Sequence, residues 1–136
     1  MGVSLITTTV SFRARIGVAM TVLMLGRQLE LGYYRAAFLE SHGFQVIFPE
    51  SKNAALAAIQ AGGFDAVIIS YTLSNESAEE FFNLIKQTDK DCPVVAITQE
   101  LTTKGSFAAD EKVLDKDRPP ALLDALIRIA KRTQER

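Results

Sequence analysis

The chain has 136 residues, of which 48% are hydrophobic and 23% charged, as expected for one globular domain with a single core. Its 15 basic and 16 acidic residues nearly cancel, so the charge balance does not indicate binding to nucleic acid or to an anionic membrane. Cys92 is the only cysteine, which excludes an internal disulfide and a CxxC metal or redox site. These features favour a reducing, cytoplasmic location and partners that are proteins or small molecules.

The first 19 residues show the least regular pattern. Two arginines precede the apolar run IGVAMTVLML, residues 16–25, which superficially resembles the basic and apolar regions of a signal peptide. No small-residue cleavage site follows the run, and it is too short to cross a bilayer, so a core strand is the favoured interpretation. We predict an N-terminal extension over residues 1–19, either flexible or an artefact of the start site, and one domain over residues 20–136.

Short apolar runs alternate with helical patterns from residue 21 onward. The runs that predict strands are TVLML (21–25), FQVIFPE (44–50), FDAVIIS (64–70), CPVVAIT (92–98) and KVL (112–114). The order βαβαβαβ, then a gap, then βα predicts a parallel sheet with helices on both faces, because parallel strands need crossover connections.

The helical segments carry recognisable start and stop signals. In the first helix, Leu31, Tyr34 and Phe38 recur at helical spacing and predict its apolar face, and Gly43 ends it. Ser51 is the predicted cap of the second helix. Ser77 and Glu80 have the form of a capping box and predict the start of the third. The last helix follows two prolines, which its first turn tolerates.

In a parallel sheet of this kind, ligand sites gather at the carboxyl ends of the strands. The residues found there are Gly26 and Arg27, Pro49 and Glu50, residues 70–72, Thr98 and Gln99, and Asp115 and Lys116. From Thr21 to the last helix, the chain resembles the response-regulator receiver domain of two-component signalling. VLMLGRQ resembles the family's first strand and acidic loop, FDAVIIS its phosphoacceptor strand, CPVVAIT its threonine strand and RPPALLDALI the start of its last helix.

The resemblance implies an α/β, flavodoxin-like (βα)5 fold, a three-layer sandwich with a parallel five-stranded sheet in the order 2-1-3-4-5. It also implies a short or irregular helix between the fourth and fifth strands, because fewer residues than usual separate Thr98 from Asp115. By position, the family's acidic pair corresponds to Gly26 and Arg27, and its phosphoacceptor aspartate to Ser70.

In the family, the phosphoacceptor carboxylate accepts a phosphoryl group from a histidine, and together with the acidic pair it holds a magnesium ion. All three are missing here, although Mg²⁺ requires oxygen ligands, and the fixed charge of Arg27 would repel the ion. Ser70 also lacks an activating neighbour, because the only histidine, His42, is assigned to the far end of the first helix. We therefore expect no catalytic residue, no metal, no cofactor and no enzymatic activity.

Two further family positions can be placed. Thr98 matches the family's switch threonine, although its hydroxyl at a strand end could simply bond nearby backbone. The family's lysine position falls on either Asp115 or Lys116, depending on a one-residue shift. If it is Asp115, then Arg27 and Asp115 would invert the family's contact between acid and lysine. The alternative is two solvated charges that contribute only ~0–1 kcal/mol.

Two functions remain open on this basis. The first is an atypical receiver domain of phosphorelay-type signalling that acts as a phosphorylation-independent protein-interaction module. It would dock a sensor kinase, a scaffold, another regulator or its own copy as a homodimer, and would bind neither nucleic acid nor membrane. The alternative is a small-anion or metabolite sensor, or an enzyme. It would use a pocket of Arg27, Ser70, Thr98 and Lys116, whose two cations and two hydroxyls suit an anion better than a metal.

Overall fold

The computed structural model describes residues 20–99 and 107–134. Within them the chain forms β1 (Thr21–Leu25), α1 (Leu29–Glu40), β2 (Gln45–Ile47), α2 (Lys52–Ala61), β3 (Ala66–Ser70), α3 (Asn75–Thr88), β4 (Val94–Thr98), β5 (Glu111–Leu114) and α4 (Arg118–Gln134). A 3-10 turn, Asp115–Asp117, joins β5 to α4. The predicted N-terminal extension lies outside the described residues. So do residues 100–106, where most of the predicted short helix would fall.

The five strands form one parallel sheet in the order β2-β1-β3-β4-β5. This order and pairing confirm the predicted flavodoxin-like architecture. Leu25 pairs with Ile69, Ser70 with Ile97, and Thr98 with Leu114. The carboxyl ends of these four strands therefore meet along one edge of the sheet, which we call the carboxyl edge.

The core consists of two apolar layers, one on each face of the sheet, because successive side chains of a strand point to opposite faces. In β1, Val22 and Met24 join the layer that packs against α1 and α4. Leu23 and Leu25 join the layer that packs against α2 and α3. All five residues of β3 are buried. Burial on both faces explains why these strands appear in the sequence as continuous apolar runs.

The start of α3 differs from the predicted capping box. The helix begins two residues before Ser77, and Ser74 is its cap, accepting a hydrogen bond from the backbone N–H of Ser77 at 3.1 Å. The Glu80 carboxylate lies 3.0 Å from Lys52 Nζ instead of folding back on the helix start. Either serine can cap a helix, and the earlier one adds a turn of backbone hydrogen bonds. Ser51 caps α2 as predicted, accepting from Ala54 N–H at 3.1 Å.

Helix α1 sits close to the sheet because of Gly32. The ring of Phe48, which follows β2, occupies the space beside this glycine, and a Cβ atom at Gly32 would lie 2.0 Å from Phe48 Cζ. Any larger residue would displace the ring or the helix. The face of α1 that contains Gly32 is the buried one, and it also carries Arg35, Ala36 and Leu39.

Candidate functional site

Ser70 ends β3 at the carboxyl edge and is only 2% exposed. Its Oγ accepts hydrogen bonds from the Thr72 backbone N–H at 3.2 Å and from Arg35 Nη1 at 3.3 Å, and shares a third with the Thr72 hydroxyl at 3.1 Å. His42 lies after the last residue of α1, at the opposite edge of the sheet, where its Nδ1 is 3.0 Å from Phe38 O. Ser70 is therefore buried, fully hydrogen-bonded and distant from the histidine, unlike an activated nucleophile.

Gly26 and Arg27 follow β1 and meet the same cluster through Thr72. The backbone N–H of Arg27 donates to Thr72 Oγ1 at 2.9 Å, while the Arg27 side chain is exposed. A Cβ atom at Gly26 would lie 3.1 Å from Thr72 Oγ1 and 3.3 Å from Ser70 Cβ. The Thr72 hydroxyl thus ties the loop after β1 to the loop after β3, and the missing side chain at Gly26 leaves room for it.

Arg35 joins Ser70 to the turn after β5. Its Nη2 donates to Asp115 Oδ1 at 2.8 Å, and the Tyr71 hydroxyl donates to Asp115 Oδ2 at 3.2 Å. Arg35 is 6% exposed, so this is a largely buried cation with a carboxylate partner. We call Arg35, Ser70, Tyr71 and Asp115 the Arg35 network. It links α1, β3 and the turn that leads to α4.

The predicted pair of Arg27 and Asp115 is wrong, because the carboxylate pairs with Arg35 instead. An acidic residue after β5 does meet an arginine, as the inverted contact required, but the arginine comes from the helix rather than from the loop. Side chains of a helix tilt toward its N-terminus, so Arg35 reaches back to the carboxyl edge where α1 begins.

The electrostatics of Tyr71 follow from this geometry. Burial, followed by the negative charge of Asp115 to which the hydroxyl donates, raises the pKa of Tyr71 above its usual value. The phenol is thus held as a neutral donor to the carboxylate. Asp115 consequently accepts one charged and one neutral hydrogen bond, one on each oxygen.

Thr98 and Lys116 stay apart from the network. Thr98 Oγ1 is buried, and none of the described residues gives it a hydrogen bond. The expected bond to nearby backbone is therefore not present among residues 20–99 and 107–134. Lys116 is exposed beside Asp115 and takes part in no ion pair with a side chain that the structure describes.

No protein-family model matches the chain, and no curated protein matches it. Several solved structures do match the chain. The chemotaxis response regulator CheY4 of Vibrio cholerae superposes with a TM-score of 0.73 at 21% identity, covering 82% of this chain and 99% of that chain. The chain has the receiver-domain fold. A CheY-like receiver domain protein from Methanospirillum hungatei has a TM-score of 0.73 at 16% identity, covering 86% of this chain and 97% of that chain.

A third match to the receiver fold is the response regulator TrrA of Thermotoga maritima, solved with Mg²⁺-BeF. Its TM-score is 0.69 at 20% identity, with 81% of this chain and 98% of that chain covered. TrrA was also solved in complex with the histidine kinase ThkA, and that structure matches with a TM-score of 0.70. At these identities the likeness establishes the fold, and the residues of the site must be judged by their own chemistry.

A receiver fold implies a magnesium site on the acidic pair and the phosphoacceptor, and the residues present do not fit one. Gly26 offers no ligand, Arg27 is a cation, and Ser70 Oγ already faces the Arg35 guanidinium. Magnesium prefers carboxylate and water oxygens in an octahedron, and a fixed positive charge at hydrogen-bond distance from a ligand atom opposes it. Among the residues that the structure describes, no group of three or more His, Cys, Asp and Glu side chains could hold a metal ion.

Two cavities open at the carboxyl edge of this receiver fold. The larger, about 480 Å³, is lined by the loops after β1 and β2 together with parts of α2 and α3, and Arg27 lines it. The smaller, about 210 Å³, lies between α1 and α4, and Lys116 lines it. Ser70 and Thr98 line neither cavity. The structure therefore does not bring Arg27, Ser70, Thr98 and Lys116 into one pocket.

Arg35 was not among the site residues predicted from the sequence, whereas Tyr71 and Thr72 were placed at the carboxyl end of β3 without a role. The predicted apolar face of α1 included Tyr34, which is 56% exposed. The buried residues of α1 are Gly32, Arg35, Ala36 and Leu39, which also recur at helical spacing. The sequence signal for this site was Arg35, a basic residue on the alternative face of the helix. It was not decisive, because periodicity alone supported both faces.

No helix in the described parts of the chain combines the length and the apolar character needed to cross a membrane.

Proposed function

We propose that the chain is an atypical, degenerate receiver domain of two-component or phosphorelay-type signalling that works by protein–protein interaction without phosphoryl transfer. The observation that carries this proposal is the Arg35 guanidinium, which donates to Ser70 Oγ at 3.3 Å. A built-in cation therefore stands beside the phosphoacceptor position, where the family's chemistry uses a carboxylate and a metal ion. The domain is then neither an enzyme nor dependent on a cofactor.

The Arg35 network also supports a single resting conformation. It joins α1, β3 and the turn after β5 through hydrogen bonds of 2.8 to 3.3 Å. A receiver that is switched by a phosphoryl group needs an unoccupied acceptor at the end of β3. Here Ser70 Oγ is already bonded to Arg35 and Thr72, so an interaction surface held in one state fits better than a phosphorylation switch.

The proposed partner is a protein, such as a sensor kinase, a scaffold, another regulator or a second copy of the chain. The complex of TrrA with the histidine kinase ThkA supports a partner of this kind, since this chain shares TrrA's fold. The docking face includes β5 and α4, where Ile127 is exposed. Nucleic acid and membrane are not proposed partners. The cytoplasmic location expected from the single cysteine belongs to the same proposal.

The alternative of an anion sensor built on Arg27, Ser70, Thr98 and Lys116 has less support, because Arg27 and Lys116 line different cavities. Ser70 is also fully engaged by protein donors.

Phosphoryl transfer is tested by incubating the chain with acetyl phosphate, or with beryllium fluoride, in the presence of magnesium. We expect no change in intact mass and no magnesium-dependent shift in Tm, because there is neither an acceptor carboxylate nor a metal site. TrrA, solved with Mg²⁺-BeF, is the positive control. A covalent phosphoryl adduct, or a Tm shift comparable to that of TrrA, would overturn the proposal.

The interaction face is tested by a pair of matched variants. Ile127 in α4 is 37% exposed and Ile47 in β2 is 36% exposed. Strands β2 and β5 are the two outermost strands of the sheet, so the two residues test opposite sides of the domain. A partner captured from the native cell should be lost with Ile127→Lys and retained with Ile47→Lys, because a desolvated lysine at an interface costs binding energy. Loss of the partner with Ile47→Lys alone would place the interface beside β2 instead.

A further inference from the structure

The cavity between α1 and α4 has a chemistry that the proposed function does not use. Its volume is about 210 Å³, and it opens beside the Arg35 network at the carboxyl edge. Four charged side chains line it, namely Arg35, Lys116, Arg118 and Asp115. We propose that this cavity binds a small carboxylate with a short hydrocarbon body.

The charges favour an anion. Three of the lining side chains are cations and one is a carboxylate, so one cation is neutralised by Asp115 and two positive charges remain. Lys116 and Arg118 are exposed, and neither forms an ion pair with any residue whose side chain the structure describes. A concave site with surplus charge of one sign concentrates ligands of the opposite sign. The cavity also lies at the N-terminal end of α4, where the helix dipole adds to the same effect.

Arg35 has the free donors that a carboxylate needs. A guanidinium carries five N–H donors; Ser70 and Asp115 engage one on Nη1 and one on Nη2, and a further hydrogen bond goes to the Tyr71 hydroxyl, which leaves two donors for a ligand. The planar arrangement of these donors matches a carboxylate. Because Arg35 is almost fully buried, its orientation is set by the protein before any ligand arrives. The site is therefore preorganised around one buried arginine and completed by two exposed cations.

The backbone of Arg118 adds an independent observation. Its φ of 62° and ψ of −173° fall in a region that is essentially restricted to glycine, and Arg118 is the only described non-glycine residue with positive φ. Strain of this kind tends to persist where the side chain or backbone serves a ligand site. Arg118, at a position that glycine would occupy without strain, lines the proposed anion cavity with a positively charged side chain.

The volume of the cavity and the residues that line it restrict the kinds of ligand that it can bind. Pockets for drug-sized molecules usually have volumes of about 300–1,000 Å³, so this cavity suits something smaller than a nucleotide. Leu31, Pro119 and Leu122 are among the apolar residues that line it. An inorganic anion would leave these walls without a partner, whereas a short hydrocarbon chain would cover them. The combination fits a short-chain carboxylate better than free phosphate.

The test is a titration of the ¹⁵N-labelled full chain with hexanoate, acetate and inorganic phosphate at constant ionic strength, followed by amide chemical shifts. Hexanoate should produce saturable shifts around the cavity, in residues 31–35 and 114–122, and should bind about tenfold more tightly than acetate. Phosphate that binds as tightly as hexanoate would overturn the assignment of the ligand. Shifts that do not saturate, or that spread evenly over the surface, would overturn the site itself.

Variants at exposed positions separate binding from folding. Lys116→Gln and Arg118→Gly should each weaken hexanoate binding severalfold. Arg118→Gly should also raise Tm, because glycine adopts the observed backbone without strain. Lys112→Gln is the matched control, since Lys112 is an exposed lysine of β5 that does not line the cavity, and its binding should equal that of the wild type. Unchanged binding in Lys116→Gln and Arg118→Gly would refute the proposal without affecting the proposed function.

Discussion

Removing either charge of the Arg35–Asp115 pair should destabilise the fold, and the two single substitutions should differ in size. The side chain of Arg35 is 7% exposed, whereas that of Asp115 is 38% exposed. In Asp115→Asn, an almost fully buried guanidinium keeps its charge but loses its counter-charge, and its 7% exposure limits how far hydration can compensate. In Arg35→Met, the hydrocarbon stem is largely replaced, and the remaining carboxylate can hydrate while it keeps the hydrogen bond from Tyr71.

The magnitudes follow from this asymmetry. Breaking a buried ion pair by removing one partner costs about 3–5 kcal/mol, and Asp115→Asn should lie near the lower end because the amide oxygen can still accept from Arg35. Arg35→Met should cost about 1–2 kcal/mol, since hydration of Asp115 offsets part of the lost charged hydrogen bond. Replacing both partners by neutral groups often costs little, so the double variant should be destabilised by about 2 kcal/mol less than the sum.

The assay is urea unfolding of the wild type, both single variants and the double variant, with ΔG extrapolated to water and the slope compared between them. The reasoning is refuted if Arg35→Met costs more than Asp115→Asn. It is equally refuted if the double variant equals the sum of the singles within about 0.5 kcal/mol, because the two side chains would then be energetically independent.

A second pair on the same molecule serves as the control. Lys52 Nζ lies 3.0 Å from Glu80 Oε1, at a distance close to that of the buried pair, but the side chains are 56% and 45% exposed. The same cycle with Lys52→Met and Glu80→Gln should give a coupling of only ~0–1 kcal/mol. The contrast would show that burial, and not contact distance, sets the energy of the Arg35 network.

Two further predictions concern packing and pH. A Gly→Ala substitution at an open helical position usually stabilises a protein. Gly32→Ala should instead destabilise the fold by about 1–3 kcal/mol, because the new methyl group meets the Phe48 ring. A urea midpoint above that of the wild type would contradict this prediction. Hydrogen bonding from Arg128, aided by Arg132, lowers the pKa of Glu111, so its contribution to stability is present above the unfolded pKa and is lost as pH falls through the folded one. The Tm of Glu111→Gln should therefore fall less than that of the wild type between neutral and acidic pH. Parallel profiles of Tm against pH would show that Glu111 does not contribute to the acid destabilisation.

The parallel pairing could be predicted from the sequence for a local reason, whereas the strand order was implied by the family resemblance. Strands buried on both faces appear as continuous apolar runs, and the helical segments between them leave few ways to connect parallel strands. The cap at Ser51 was equally local. The start of α3 was predicted wrongly because Ser74 and Ser77 can both cap, and only the packed helix selects Ser74.

The sequence by itself determined where β1, β3 and β4 end, because apolar runs mark those ends, and the family resemblance assigns Gly26, Arg27 and Ser70 to the positions of its carboxylates. Only the tertiary structure decided which cation meets Asp115. Periodicity is compatible with more than one buried face of α1, and in the folded chain that face carries Gly32, Arg35, Ala36 and Leu39. Arg35 therefore reaches Ser70 and Asp115, whereas the side chain of Arg27 is exposed.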